Sequence, residues 1–350
     1  MKILKYFGVV LAVAILAFAG FLLYSTKTWY NPPQKLVLSE NTMPDVICSD
    51  STLSVLSWNI GYAGLGDDMD FFYDGGTKVR DSFERTYENL VAIHQFLKQN
   101  SSNTFIFLQE LDLHSKRSYF MNEMDTILNH TSYFPTFAPN YVVKFVPIPL
   151  TSPIGEVNSG IVSLSKYLPK TSVRLGYPGM FGWPNRLFNL RRCMLVNRYP
   201  TYSGHDLVMI NTHNSAFDKG ELKKQELQYL RNFVLDEYAK GNYVVVGGDW
   251  NQSPPKFQLD KFSSKLPTEH FLLTNVDDNF MPETWKWVYD RQTPTNRYLI
   301  ERYFPGKTPT CLLDFFLVSP NIEIISTKTL NLNFRNSDHN PITLRFKLVD

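Results

Sequence analysis

Apolar and polar residues alternate in short runs along most of this chain, and helical periodicity is confined to a few stretches. Leu53-Ser54-Val55-Leu56-Ser57-Trp58 reads as a strand that runs into Asn59. Thr104 to Leu108 reads as a buried strand leading to Glu110, and Gly160-Ile161-Val162-Ser163-Leu164 follows Asn158-Ser159 as another. Leu207 to Asn211 leads into His213, and Tyr243 to Val246 ends at Gly247-Gly248. Leu312 to Val318 and Thr343 to Val349 supply the last strands. Asp81-x-x-Glu84 is a capping-box pattern. It opens an amphipathic helix with Phe83, Tyr87, Leu90, Val91 and Leu97 on one side. Asp218-x-x-Glu221 opens a second helix, which Gly241 should stop.

The N-terminus differs in kind. Lys2 and Lys5 precede an unbroken apolar run from Phe7 to Tyr24, roughly the length that spans a thin bilayer. Ala17-Phe18-Ala19 has the form of a cleavage site, but Phe21-Leu22-Leu23 continue the run past it. That favours an uncleaved anchor over a cleaved signal. The basic flank should stay inside and the remainder cross, giving an extracytoplasmic domain, secreted if the segment is cut. Residues 26–51 hold Asn31-Pro32-Pro33 and Pro44 without periodicity and read as a linker. The expected organisation is therefore an anchor or signal over 1–25, a linker over 26–51 and one domain over 52–350. Many strands and few helices point to an α+β fold of two packed mixed sheets flanked by helices. A doubly wound α/β sheet is the competing arrangement.

Composition sharpens this only in places. The 350 residues, 43% hydrophobic and 19% charged, suffice for a full core. A net charge of +2 lacks the basic footprint of a dedicated nucleic-acid binder. Cys48, Cys193 and Cys311 match no zinc spacing, and a Cys193–Cys311 bridge would leave one thiol over. Phe71-Phe72-Tyr73, Trp183 and Trp285-Lys286-Trp287 are loop aromatics that can stack on bases or sugars or enter a bilayer interface. Ordinary packing is their plainer reading. Arg191-Arg192 can meet phosphate, but a solvated or salt-bridged pair is its plainer reading, and His94, His114, His130, His205 and His270 lack supporting neighbours.

The chemistry sits at the strand tips. Hydrolysing a phosphate ester needs a cation on the phosphoryl oxygens, a group that orients water, and a donor for the leaving oxygen. Mg²⁺, with Mn²⁺ as an alternative, takes oxygen ligands and keeps several waters, so one or two carboxylates suffice. Glu110 with Asn59 beside it suits that role, and Asp338 is a further ligand. Asp249 and Asn251, two apart, face the same way from an extended tip and can hold a water and a phosphate oxygen. His339 suits a base or cationic donor, oriented by Asp314. His213 can donate to the non-bridging or leaving oxygen, and Asn158 and Asn214 add donors. Arg297, between the Asp249 and Asp314 tips, is a candidate substrate contact.

The matching pieces, in order, are Trp58-Asn59, Gln109-Glu110, Asn158-Ser159-Gly160, Asn211-Thr212-His213, Gly248-Asp249-Trp250-Asn251, Leu313-Asp314-Phe315 and Ser337-Asp338-His339. From about 53 to 350 the chain resembles the endonuclease/exonuclease/phosphatase superfamily of DNase I-like nucleases, apurinic endonucleases, neutral sphingomyelinases and inositol polyphosphate 5-phosphatases. The resemblance implies a four-layer α/β/β/α sandwich and a Mg²⁺-dependent phosphoesterase. It implies Asn59 and Glu110 near the metal, Asp249 orienting water and Asn251 binding phosphate. It implies Asp314 oriented toward His339 and His213 at the scissile phosphate. Asn214 departs from the pattern, since many relatives carry an apolar residue there. The expectation is a monomeric phosphodiesterase, with lipid, sugar phosphate and nucleic acid all open as substrates. A nuclease or a phosphoinositide-type monoesterase is the alternative. A binding module without catalysis is disfavoured because no metal ligand and neither half of the Asp–His pair is lost.

Overall fold

Side-chain alternation in two sheets separates the core into three apolar layers. The computed structural model describes residues 2–48, 50–129, 131–216, 220–263, 266 and 271–349. The helices are α1 (Lys2–Lys27), α2 (Phe83–Gln99), α3 (Glu123–Leu128) and α4 (Glu221–Ala239). The strands are β1 (Lys35–Glu40), β2 (Leu53–Asn59), β3 (Phe105–Asp112), β4 (Phe134–Val146), β5 (Gly155–Ser165), β6 (Thr171–Gly176), β7 (Cys193–Pro200), β8 (Asp206–His213) and β9 (Tyr243–Asp249). They continue as β10 (Lys286–Val288), β11 (Asn296–Arg297), β12 (Thr310–Cys311), β13 (Asp314–Val318), β14 (Ile322–Thr329) and β15 (Ile342–Leu348).

One sheet runs β1-β6-β7-β8-β9-β13-β10 and the other β14-β15-β2-β3-β5-β4, with β11-β12 as a separate ribbon. Each sheet holds one β-α-β unit, β2-α2-β3 and β8-α4-β9, and these are parallel pairs. In β8, Leu207 and Met209 point between the sheets while Val208 and Ile210 point outward under α4. In β2, Leu53 and Val55 face the inter-sheet layer, and Leu56 and Trp58 face α2 and α3. Period-two alternation in both sheets thus makes the four-layer α/β/β/α sandwich that the sequence implied.

Several details differ from the sequence reading. Helix α2 is capped by Ser82, whose side chain accepts from the Arg85 amide; Asp81 instead accepts from the Ser82 amide. Its buried face is Thr86, Leu90, Ile93 and Leu97, while Phe83 and Tyr87 stack on each other in solvent. Asp218 lies outside the described residues; α4 begins after Gly220 and stops at Gly241, which has φ +83°. Within 26–51, β1 pairs with β6 as an edge strand and Ile47 enters the inter-sheet core, so this stretch is not an unstructured tether. Its half-exposed pattern, broken by a bulge, gave no clean alternation. Strand β4 was hidden by Pro135 and Pro139, which an edge strand tolerates. Trp285 and Trp287 pack with Trp250 and Phe315 in the core. All three cysteines are free, Cys193 and Cys311 being buried.

Candidate active site

Backbone register gathers the polar tips. In the parallel β8–β9 pair His213 lies beside Asp249, and in the antiparallel β9–β13 pair Asp314 lies opposite Asp249. Gly248 makes this closeness feasible: its φ is +143°, and a Cβ there would stand 1.9 Å from the Thr212 carbonyl oxygen. Glu110 comes from the other sheet. It has φ +55° inside a register shift between Leu108 and Leu111, a bulge that re-aims its carboxylate off the ladder. The segment 337–340 is fastened from both sides. Ser337 Oγ donates to the Asn59 carbonyl at 2.7 Å, Trp58 Nε1 donates to the His339 carbonyl at 2.8 Å, and the Arg297 amide donates to the Asp338 carbonyl.

Glu110, His213, Asp249, Asn251, Asp338 and His339 line one cleft of about 220 Å³, and Asp314 is buried behind His339. On its floor, Asp249 Oδ2 lies 3.5 Å from His213 Nε2 and 3.7 Å from His339 Nε2. It also accepts from Asn59 Nδ2 at 3.0 Å, and Asp249 Oδ1 accepts from the Asn251 amide at 2.9 Å. Asp314 Oδ2 is 2.7 Å from His339 Nδ1, and its other oxygen is buried without a partner among the described residues. Burial pushes the Asp249 pKa up, against the nearby His339 charge. Burial opposes charge on His339 as well, but Asp314, Asp338 and Asp249 together hold its pKa well above the usual histidine value. Asn296 Nδ2 lies 2.9 Å from His339 Nε2. That nitrogen is an acceptor in the neutral ring; in the charged ring it donates, and Asn296 must turn its amide oxygen toward it. His213 is the opposite case. Burial, then the charges of Arg192, His339 and Arg117, depress its pKa well below the usual value, so it works as a neutral imidazole.

A carboxylate group forms beside this floor. Burial raises Asp338 to about 6, with His339 opposing and Glu110 adding to the rise. Asp74 is raised to about 7, by burial and then by the charges of Asp338 and Glu110. No sequence pattern marks Asp74, because it follows no strand and sits in the 61–76 loop, which is rich in Gly and Asp and has no period. Among the described residues no group of three or more His, Cys, Asp or Glu side chains is placed to hold a metal ion by itself. A hard cation that keeps its waters needs none, and an all-oxygen set with Glu110 partly open to solvent fits it. Glu110 and Asp338 would hold it.

Four expected contacts are corrected. Asn59 Oδ1 accepts from the Gly61 amide, and its nitrogen faces Glu110 and Asp249, so it orders the carboxylates rather than ligating metal. Asn158 is absent from the cleft lining; Ser159 lines it, as opposite faces alternate along β5. Asn214 is fully buried, and its oxygen accepts from Thr212 Oγ1. Its backbone carbonyl accepts from Asn251 Nδ2, so Asn214 positions Asn251 at the cleft. Arg297 lines the cleft, but its guanidinium donates to the carbonyls of Gly66, Met69 and Glu301 and clamps the 61–76 loop. Its neighbour Asn296 is the one that meets His339. Of the other lining arginines, Arg117 is paired with Asp112 and stacked on Tyr62. Arg192, which read as a solvated residue, lines the cleft with Nη1 buried and unpartnered among the described residues. His94, His114 and His205 are not in the cleft lining, and His130 and His270 lie outside the described residues.

The sequence from 56 to 339 matches the model of the Endonuclease/Exonuclease/phosphatase family. The chain belongs to this family. Its members are phosphoester hydrolases, so this chain is one, and enzymes of the family generally use divalent metals. None of the curated proteins compared matches the sequence. Among solved structures, the endonuclease/exonuclease/phosphatase from Beutenbergia cavernae DSM 12333 aligns with TM-score 0.57 and 18% identity over 85% of this chain and 72% of that one. The Bacteroides vulgatus endonuclease/exonuclease/phosphatase aligns with TM-score 0.53 and 17% identity, covering 85% and 100%. D. rerio TDP2, complexed with a single-strand DNA product, gives 0.51 and 15%, also covering 85% and 100%. At such identities these likenesses speak for the fold of this family member alone.

Proposed function

We propose that this hydrolase is a Mg²⁺-dependent phosphodiesterase, with Mn²⁺ as a substitute, acting on the outer side of a membrane crossed by α1. The observation that carries the reading is Asp249 Oδ2 standing between His213 and His339 beside the Glu110–Asp338–Asp74 carboxylates. Water attacks phosphorus as the ester oxygen leaves. Asp249 takes the water proton, and charged His339, steadied by Asp314, gives a proton to the leaving oxygen. Proton return from Asp249 to His339, 3.7 Å apart, resets the pair. Neutral His213 and the Arg192 guanidinium donate to the non-bridging oxygens, and Asn251 holds the phosphate from the far side. A bound divalent ion would neutralise phosphoryl charge and acidify its water. With one uncommitted arginine, the cleft suits the single negative charge of a diester better than the roughly double charge of a monoester.

Helix α1 is long and apolar enough to cross a bilayer, and Lys2 and Lys5 before it favour an outside domain. A nuclease is the second reading, favoured by the DNA product in the D. rerio TDP2 structure. The test is the full chain in detergent with Mg²⁺, assayed on bis(p-nitrophenyl) phosphate, p-nitrophenyl phosphate and duplex DNA. Diester turnover that chelator and Glu110→Ala abolish supports the reading. Preference for the monoester, or turnover indifferent to chelator, overturns it.

A further inference from the structure

The outer end of α1 is not free of the catalytic domain. Phe21 stacks on Phe188 with ring centres 5.6 Å apart and meets Phe145 edge-on at 6.1 Å. One turn on, Ser25 is buried against the domain. Trp183 Nε1 points to Thr26 Oγ1 at 3.5 Å, and the Arg186 guanidinium covers Trp29 at 4.8 Å. The apolar run from Phe7 to Tyr24 is about 27 Å long at the helical rise, close to the ~30 Å hydrocarbon thickness. Phe21 lies about 5 Å inside the outer end of that run. Whatever touches Phe21 is therefore level with the edge of the hydrocarbon.

The segments that touch it expose apolar side chains. The end of β4 and the turn after it present Phe145, Ile148 and Leu150, the last 86% exposed, and the 178–188 segment presents Met180 and Trp183, the latter 55% exposed. Clustered exposure of this kind marks an interaction surface. Trp29 and Trp183 suit the headgroup level, where amphipathic rings collect. The same two segments reach the catalytic cleft. Ile154, whose amide donates to the Ile148 carbonyl, lines it, as do Asn189 and Leu190 immediately after Phe188. The cleft wall above the carboxylates is apolar and aromatic, including Leu65, Phe71 and Tyr141.

Resting on the phosphodiesterase reading, we infer that the 145–150 and 180–183 rim is seated in the bilayer that holds α1, and that the cleft takes the headgroup phosphodiester of a lipid from that leaflet. The occupant of the rim is lipid because α1 leaves it no other place: the rim is packed on a residue within the membrane span.

The test uses the full chain carrying Cys48→Ser and Leu150→Cys, labelled at position 150 with a polarity-sensitive dye. The chain is reconstituted in vesicles of phosphatidylcholine and phosphatidylglycerol, with and without acyl-chain nitroxide lipid. Headgroup-labelled phosphatidylcholine and phosphatidylglycerol are the lipid substrates, and glycerophosphocholine and bis(p-nitrophenyl) phosphate the soluble ones. Nitroxide quenching of the dye and cleavage of a lipid in preference to glycerophosphocholine are expected. In the otherwise native chain, Leu150→Glu should cut lipid turnover about tenfold, the scale of one lost apolar contact, and leave bis(p-nitrophenyl) phosphate turnover unchanged. A dye that stays in water overturns the docking. A dye that is shielded yet not quenched shows a second protein on the rim and overturns it equally. Quenching with glycerophosphocholine cleaved as well as lipid overturns the lipid substrate. Quenching with no turnover of any diester keeps the docking and removes the phosphodiesterase reading beneath the substrate assignment.

Discussion

Asp249 and Asp314 stand opposite each other in the β9–β13 ladder, yet only Asp314 is bonded to His339 at 2.7 Å, while Asp249 stays 3.7 Å from the ring's other nitrogen. One carboxylate holds the imidazole and the other lines the cleft, where the proposed mechanism puts the attacking water. Two like charges this close are tolerated because His339 lies between them and takes up positive charge.

The pair divides labour, so its halves fail differently. Asp314→Asn should leave the fold intact and lower kcat on bis(p-nitrophenyl) phosphate about 100-fold or more, the usual worth of a positioned acid or base. Its KM should change little. Near-native kcat would show that His339 needs no carboxylate behind it.

Glu110→Gln removes the charge of the bulged residue that pushes up both Asp338 and Asp74. Mg²⁺ or Mn²⁺ binding, followed by calorimetry, should weaken at least tenfold, as loss of a charged ligand does. Unchanged affinity would move the metal away from Glu110.

Arg192→Ala takes away a lining guanidinium whose Nη1 is buried and unpartnered among the described residues. An increase of about tenfold in KM, with kcat less affected, is expected for a lost charged contact to phosphate. An unchanged KM would remove Arg192 from phosphate binding.

Gly248→Ala tests the geometry beneath Asp249. Its φ of +143° and the 1.9 Å approach to the Thr212 oxygen leave no room for a methyl group. The variant should lose at least ~2 kcal/mol, lowering Tm by about 3 °C or more. A neutral substitution would mean that β8 and β9 separate at their ends without cost.

Acid stability has a specific contributor away from the cleft. Burial works against the Glu237 charge, but bonds from Arg198 at 2.6 Å, Lys240 and Asn242 overcome it and lower the pKa to about 2. A depressed carboxylate stabilises the fold fully above its unfolded pKa, near 4.3, and loses that contribution as pH falls toward 2. Thermal unfolding between pH 5 and 2 should show the native chain losing more Tm than Glu237→Gln. Parallel curves would remove Glu237 from the account.

The sequence by itself carried the family, the layer order and most of the polar residues that the cleft gathers, because each of them ends an apolar run and strand periodicity places such ends at one edge. Asn59, Glu110, His213, Asp249, Asp314 and His339 could be read this way. Side-chain direction could not. Asn158 and Ser159 differ by one step of alternation, and only the pairing of β5 decides which enters the cleft. Arg297 and Asn296 are adjacent, and the 61–76 loop takes the guanidinium while His339 meets the amide. Asp74 reaches the carboxylate group from a loop with no period to read. Arg192 and the contact of Phe21 with Phe145 and Phe188 join residues far apart in the chain, so their meaning exists only once both sheets have closed. Local patterns record what a residue can do within a few neighbours; which distant group it then faces is settled by packing, where burial decides whether a charge is held, paired or left for a substrate.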